Sequence, residues 1–451
     1  MSSLCVFVCL CVSVCVFVLM WGLVSSAGRV HWRHNVLSQV HKRCLSLTNN
    51  NNNTSNNNNN NSGDTTPDVT SFLQQRRARE VDARLFRLSD ERMERFEQRS
   101  RKTQASLRDF RYPSDSLVEL LVPLGSQKGL RESYVNFMNQ LRIGKVLEDL
   151  DAMAGEIAYQ HAGGGAPLTI VTASVDKIFL KAPVTGMEDV FMRGNVTWVG
   201  SSSMEITIRV FQGAESARRE IMESSFVMVA RDPSTGGSRR VPPLKCESPE
   251  DISAFEAGEA NKQRRIEKSK QSLDFQPPSS DERLTIHQLY LESRDHKVTS
   301  DRYKTIASTM LQKTVIIHPQ ERNIHGKAFG GHLLQQAFDL AWVCARQYSA
   351  ERPTFLSLDD NAFLKPVEIG AIVIFDGAVC FADDKNRILV CRVEVDVLDE
   401  HGRRERTNLF HFSFRVPGSI KRALPLTYEE SMEYLQGKRI HESNLKMLQL
   451  S

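Results

Sequence analysis

The sequence predicts an α+β protein built from two tandem copies of one unit, each an antiparallel sheet wrapped around a central helix. Three observations lead there. A motif recurs: Asp176-Lys-Ile-Phe179-Leu180-Lys181-Ala-Pro183-Val184 returns as Asp360-Asn-Ala-Phe363-Leu364-Lys365-Pro366-Val367, with one residue missing before the proline. The stretch leading to its second occurrence is apolar nearly all round (Leu333, Leu334, Ala337, Phe338, Leu340, Ala341), the pattern of a buried helix. Later, Val393, Val395 and Val397 alternate with Arg392, Glu394 and Asp396, and Phe410, Phe412 and Phe414 with His411, Ser413 and Arg415. Period two over such lengths marks half-buried antiparallel strands.

Taken in order, residues 1–48 read as a targeting segment. Leu4 to Val24 is nearly all apolar and long enough to span a bilayer, so membrane contact is expected only if that stretch is retained. The stretch after it carries Arg29, Arg33, Lys42 and Arg43, several serines and no acid before Asp64, the mark of a mitochondrial transit peptide. The expected destination is the mitochondrion, and within it the matrix. Residues 49–70 read as a disordered spacer, because the eleven asparagines within 49–61 cannot bury apolar surface. Residues 71–111 form a charged helical linker.

The first copy occupies 112–232: a strand over Ser116–Leu124, a helix over Gly144–His161, then strand-like runs at Val190–Val199, Met204–Gln212 and Ser225–Ala230. Residues 233–300, broken by Pro and Gly and then charged from Asn261 to Lys270, read as a linker with a solvated helix. The second copy, 301–418, repeats the order with a strand at Thr314–His318, a helix over Gly331–Tyr348 and runs at Ile372–Phe381, Arg387–Leu398 and Thr407–Val416. In the tail, 419–451, Thr427-Tyr-Glu-Glu430 has capping-box spacing and opens a short helix.

The totals exclude several classes. At 451 residues the chain exceeds one ordinary core, which fits two domains plus extensions. The net charge of +4 is uneven: residues 1–111 hold 16 Lys+Arg against 9 Asp+Glu, leaving 42 against 45 in the body. A nucleic-acid binder carries its basic surplus on the folded body, so none is expected as a partner. Four of nine cysteines sit in the apolar leader, and Cys44, Cys246, Cys344, Cys380 and Cys391 are scattered without a CxxC pair. That is neither a disulfide framework nor a zinc site. His318, His325 and His332 recur every seven residues but straddle strand, loop and helix, so no metal site is expected.

The most specific segment is His318-Pro-Gln-Glu-Arg-Asn323-Ile-His-Gly326-Lys-Ala-Phe329-Gly330-Gly331-His-Leu-Leu334. Two glycines just ahead of a buried helix admit a ligand close to the backbone, with free N–H groups and the positive helix end where an oxyanion would develop. Asn323, eight residues before Gly331, can donate and accept. On the residues alone, a glycine-rich turn with an ordinary loop asparagine reads equally well.

Here the chain resembles the hotdog-fold acyl-CoA thioesterases, most closely the mitochondrial acyl-CoA thioesterase 9-like family. The runs Ile143-Gly-Lys-Val-Leu-Glu-Asp-Leu-Asp151, Trp198-Val-Gly-Ser-Ser-Ser-Met-Glu205 and Phe226-Val-Met-Val-Ala-Arg-Asp232 carry the likeness, which covers about residues 112–440. The resemblance implies two tandem hotdog domains and hydrolysis of fatty acyl-CoA to fatty acid and coenzyme A. It implies no cofactor beyond the coenzyme A of the substrate, and a homo-oligomer, since hotdog sheets usually pair. It also implies a composite site in which Asn323 works with Asp151 of the other domain, while the Gly330 and Gly331 amides polarise the carbonyl.

Helix geometry is compatible with that pairing. Seven residues rise about 10 Å, so Asp151 cannot serve a carbonyl held at its own helix start but can serve the partner helix. As general base or as nucleophile it fits equally; taken by itself, it reads as a salt-bridged acid beside Glu148 and Asp149. The reciprocal site is expected to be dead, because Ile143-Gly144 replaces the double glycine and Phe338 stands where Asp151 does. Asp339 lies one step on, turned about 100° around the helix. Ser202 and Ser203 fall in a segment that the resemblance places near the coenzyme A arm; the plain reading is a hairpin turn. Lys181 and Lys365 could meet phosphates but read as solvated strand lysines. An enoyl-CoA hydratase is disfavoured, for want of an Asp-x-Asn-Pro-x-His motif. The remaining alternative is a catalytically inactive hotdog module that only binds acyl-CoA.

Overall fold

The computed structural model describes residues 109–163, 168–294, 302–323 and 326–450. The targeting segment, the spacer and the charged linker up to Arg108 lie outside the described residues, as does His325. Among the described residues no helix is long and apolar enough to cross a membrane.

The first copy runs β1 (Val118–Val122), α1 (Lys128–Tyr134), α2 (Ile143–Ala162), β2 (Thr169–Val175), β3 (Ile178–Leu180), β4 (Val190–Val199), β5 (Ser203–Gln212) and β6 (Arg219–Arg231). Two helices come next, α3 (Pro249–Lys270) and α4 (Ser280–Ser293). The second copy runs β7 (Tyr303–Thr305), β8 (Leu311–Ile316), α5 (Gly330–Ser349), β9 (Thr354–Leu358), β10 (Asn361–Ala362), β11 (Ile372–Asp383), β12 (Ile388–Leu398) and β13 (Arg404–Arg415). After it come β14 (Arg422–Leu424), which pairs in parallel with β7, and α6 (Tyr428–Leu450).

Twelve strands form one sheet. Its main order is β1-β4-β5-β6-β3-β9-β13-β12-β11-β8, with β2 and β10 paired beside that path. The copies join crosswise. β3 pairs with β9 (Ile178↔Leu358, Phe179↔Ser357) and β2 with β10 (Val175↔Asn361), all antiparallel. Each copy contributes its β2 or β9 to the other's β10 or β3, the relation a two-fold axis between equivalent units produces. Each central helix lies in the sheet of its own copy, α2 burying Val146, Leu147, Leu150 and Ile157 and α5 burying Leu334, Ala337, Phe338 and Ala341.

Two expectations change. The 233–300 segment, read as a linker with a solvated helix, holds two helices, and α3 packs against β4 of the first copy. Gly258 sits so close to Trp198 that an added Cβ would lie 2.4 Å from the tryptophan's Cβ. Asn261 donates to Glu205 (2.8 Å), and Arg265 reaches both Asp176 (2.6 Å) and Glu205 (2.8 Å). Lys268, a turn later, bonds Asp359 and Asp360 of the second copy at 2.8 Å each. The tail helix is also longer than read, at 23 residues. Thr427 Oγ1 accepts from Glu430 N (3.1 Å) at its start, and Gly437 lets it lie directly on Cys380 and Phe381 of β11. The polar faces of β12 and β13 are therefore covered: Arg392 pairs with Glu433 (2.7 Å), and Asn444 donates to Ser413 (2.9 Å).

Candidate active site

The starts of α2 and α5 meet at the junction of the two copies. A Cβ added to Gly331 would fall 2.8 Å from the Glu148 carbonyl oxygen and 3.0 Å from its Cα, both backbone atoms of α2. A Cβ on Gly144 would fall 3.1 Å from Phe338 Cδ1 on α5. Neither Gly330 nor Gly331 has positive φ, so both are needed for the space they leave to the facing helix, not for backbone freedom.

That close approach sets Asp151 against the start of α5. The Gly331 N–H donates to Asp151 Oδ2 at 2.7 Å, across 180 residues of sequence. Thr172 Oγ1 on β2 donates to Asp151 Oδ1 at 2.8 Å. The carboxylate is thus held at both oxygens and is only 2% exposed. Burial pushes its pKa up to about 6, against the opposing pull of the hydrogen bonds from Thr172 and Gly331; the nearby Glu148 charge adds to the rise. Above Gly330 stands the Phe363 ring: a Cβ on that glycine would lie 3.2 Å from Phe363 Cε1 and 3.1 Å from Asp151 Oδ2.

Asn323 sits in the loop entering α5. Its Oδ1 accepts from the Lys327 N–H (3.1 Å), and its own N–H donates to the Lys327 carbonyl (2.7 Å), closing the loop before Phe329. The Gly330 N–H donates to no group among the described residues, whereas the Gly331 N–H is taken by Asp151. Ser202 and Ser203 lie at the β4–β5 hairpin, where Ser202 O accepts from Ala230 N (2.8 Å). Ser203 pairs with Val229, and Val229 with Val171, the neighbour of Thr172. That puts Ser203 two strands, about 10 Å, from the rung beside Thr172. No three His, Cys, Asp or Glu side chains among the described residues are placed to hold a metal ion.

This geometry is matched by sequence relationships. The thioesterase superfamily profile matches residues 132–216. Over 338 residues the chain is 40% identical to human mitochondrial acyl-coenzyme A thioesterase 9, covering 72% of this chain and 76% of that protein. The chain belongs to the acyl-coenzyme A thioesterase 9 family. Also similar to this thioesterase is mitochondrial acyl-coenzyme A thioesterase 4 of hop, Humulus lupulus, 35% identical over 350 residues, covering 72% of this chain and 66% of that protein. A solved acyl-ACP thioesterase from Bacteroides thetaiotaomicron aligns at TM-score 0.41 with 13% identity, over 67% of this chain and 99% of that one.

The reciprocal pair of positions in this thioesterase looks different. Phe338, the counterpart of Asp151, is buried among Phe355, Phe412 and Phe414, with ring centroids 5.5, 5.6 and 5.9 Å away. Apolar packing fills the place a carboxylate would take. Asp339 points along the side of Gly144, 3.4 Å from the place of its Cβ, with Arg142 and Lys313 as its nearest cations. Sequence reasoning missed Thr172. Its strand, β2, buries only Ile170 and Val175, and a bulge between Thr172 and Ser174 breaks the alternation, so no periodic signal marked the strand or the threonine.

Proposed function

We propose that the protein hydrolyses the thioester of fatty acyl-CoAs in the mitochondrial matrix, at one composite site per chain made by Asp151 of the first copy and the start of α5 in the second. The observation that carries this reading is the 2.7 Å bond from the Gly331 N–H to Asp151. It puts a buried carboxylate of one copy at the positive end of the other copy's helix, where an oxyanion is best stabilised.

In this reading the thioester carbonyl lies over the start of α5, its oxygen facing the Gly330 N–H. Asp151, ionised above about pH 6, takes a proton from a water as that water attacks the carbonyl carbon. The tetrahedral oxyanion collapses, the C–S bond breaks, and the proton passes to the departing thiolate, giving a fatty acid and free coenzyme A. Asn323, tied into its loop by Lys327, orients the water or the carbonyl. Thr172 fixes the carboxylate. Each Asp151 oxygen accepts one hydrogen bond and keeps a second lone pair, so the carboxylate can serve as base or as nucleophile, and the base is the route proposed. Ser202 and Ser203, at the outer hairpin, would meet only the distal part of the coenzyme A arm.

The protein is also proposed to assemble as a homo-oligomer through the sheet edges β1 and β8. Leu121 on the one and Ile316 on the other are about half exposed, at 49% and 54%. Thiol release measured across acyl-CoAs of increasing chain length tests the activity. Release from fatty acyl-CoAs is expected, and binding without release would favour an inactive acyl-CoA-binding module instead. Single-turnover reaction in ¹⁸O-water separates the routes: label in the product acid supports the base, and label left on Asp151 the nucleophile.

A further inference from the structure

One turn before Asp151, Glu148 is 5% exposed and belongs to both central helices at once. On its own helix Lys145 Nζ lies 2.7 Å from Glu148 Oε2 and 3.0 Å from Asp149 Oδ1, and Tyr134 donates to the other Asp149 oxygen (2.5 Å). From α5, the Gln335 amide lies between Glu148 and Arg142; in the orientation that satisfies both, its nitrogen donates to Glu148 Oε2 at 3.2 Å and its oxygen accepts from Arg142 Nη2 at 3.3 Å. Gln335 is four residues after Gly331, so the Glu148–Gln335 contact and the Asp151–Gly331 contact are successive rungs of one ladder between the helices. The remaining charged groups around Glu148 are Asp339 on α5, which opposes it, and Arg142 ahead of α2.

We propose that Glu148 is a positioning residue for Asp151: clamped by Lys145 on its own helix and by Gln335 on the other, it fixes a negative charge one turn behind the candidate catalytic carboxylate and makes that carboxylate the stronger base. This rests on the hydrolase reading. The physical reason is that a like charge at the i−3 position lies about 5–6 Å away at Cβ and raises the cost of ionising its neighbour. At Asp151 that repulsion adds to the effect of burial and opposes the two hydrogen bonds. Of the two other acids on this stretch of α2, Asp149 is two residues from Asp151 and bonded to Tyr134, whereas Glu148 is one turn away on the same side of the helix and is the charge that acts on Asp151.

The test uses the full-length protein and two readouts. Stability against pH, compared between the protein and its Asp151→Asn variant, gives the midpoint of the Asp151 titration without substrate. The same comparison is then made in Glu148→Gln and Glu148→Asp backgrounds. The acid limb of kcat/KM for a fatty acyl-CoA is followed in parallel. Expected is a midpoint lower by about half a pH unit in Glu148→Gln, in both readouts, with the charge-keeping Glu148→Asp staying near the parent. A midpoint unmoved in Glu148→Gln, or moved equally in Glu148→Asp, would overturn the proposal. Absence of thiol release from every acyl-CoA would overturn the hydrolase reading instead, and the stability readout would still decide the role of Glu148.

Discussion

The Gly331 N–H at the start of α5 donates to the Asp151 carboxylate on α2, 2.7 Å away and from the other copy of the repeat. The bond exists because neither helix start carries a side chain that would hold the helices apart. The Gly331 backbone rests on the backbone of Glu148, and Gly144 rests on Phe338. Close packing thus comes first, and the hydrogen bond results from it. In the proposed mechanism the two glycines therefore divide their work: the Gly331 N–H holds the acid, and the Gly330 N–H is the donor offered to substrate.

Asp151→Asn is expected to cut turnover by about 10²–10⁴-fold, the usual contribution of a general base. Folding should survive. The amide oxygen can still accept from Gly331, and the Thr172 hydroxyl can rotate to accept from the new NH₂. Thermal melting at pH 7.5 should show a protein at least as stable as the parent. Burial lifts this carboxyl to about 6 in the fold, against about 3.9 in an unfolded chain. Holding it ionised therefore costs the fold on the order of 3 kcal/mol. Thiol release at the parent's rate would remove Asp151 from the site.

The pH dependence has a definite sign. Between about 4 and 6 the folded protein binds more protons at Asp151 than the unfolded chain does, so this group's contribution to stability falls as pH rises through that window. Asp149, lifted to about 6 by burial against the pull of Lys145, acts in the same direction. Activity runs the other way, since the base must be ionised. The acid limb of kcat/KM is expected near pH 6, falling about tenfold per pH unit below it. A flat profile down to about pH 4.5 would mean that a different group is the base.

Much of this was legible in the sequence, for reasons that can be named. The helix over Gly331–Tyr348 announced itself by being apolar nearly all round, and the strands at Val393–Val397 and Phe410–Phe414 by period two, because one side of each strand meets only core. The pairing of Asp151 with the other copy follows the family motif and is consistent with helix rise. Thr172 was invisible because a bulge between Thr172 and Ser174 breaks the alternation of β2 and leaves its buried residues, Ile170 and Val175, five positions apart. What the outer helices pack against was missed for another reason. Arg265, Lys268 and Asn444 have the composition of a solvated face, yet their partners Asp176, Asp359 and Ser413 are buried polar groups far away in sequence.

The two glycines should respond differently to alanine. In Gly331→Ala the new methyl meets the Glu148 backbone at 2.8 and 3.0 Å, and neither atom can move without displacing α2. Overpacking of this kind costs about 1–3 kcal/mol, so melting temperature and turnover should fall together. In Gly330→Ala the nearest atoms are the ends of the Asp151 and Phe363 side chains, at 3.1 and 3.2 Å. These can yield, so stability should be nearly kept while turnover falls, because Asp151 is displaced from its position. Equal loss of stability in both would contradict the division of roles.

Phe338→Asp restores the acid at the reciprocal position but should not create a second site. The carboxylate would enter a cluster of three phenylalanines, and the facing helix start carries Ile143 where the other carries Gly330. Loss of the buried ring alone costs about 3–5 kcal/mol, and the unpaired charge adds to that. The variant should melt far lower or fail to accumulate. A stable Phe338→Asp protein with twice the turnover would refute the asymmetry.

The composite site is tested most directly by dividing the chain. Residues 105–240 carry Asp151 and Thr172, and residues 296–451 carry Asn323, Gly330 and Gly331. Within either piece the helix start and the carboxylate position seven residues later are about 10 Å apart, beyond hydrogen-bond reach. Each piece also loses the crosswise strand pairs Phe179↔Ser357 and Val175↔Asn361, and the division removes α3, whose Arg265 and Lys268 hold acids of the two copies. Expressed separately, both pieces should release no thiol. Mixed, they should regain a part of the parent's turnover, and more of it when the first piece is extended through residue 272 to restore α3. Asp151→Asn combined with Asn323→Ala should lose little more than the worse single variant, as residues acting as a unit do. Strong thiol release by the 296–451 piece alone would sink the composite reading and make Asp339 the first acid to examine.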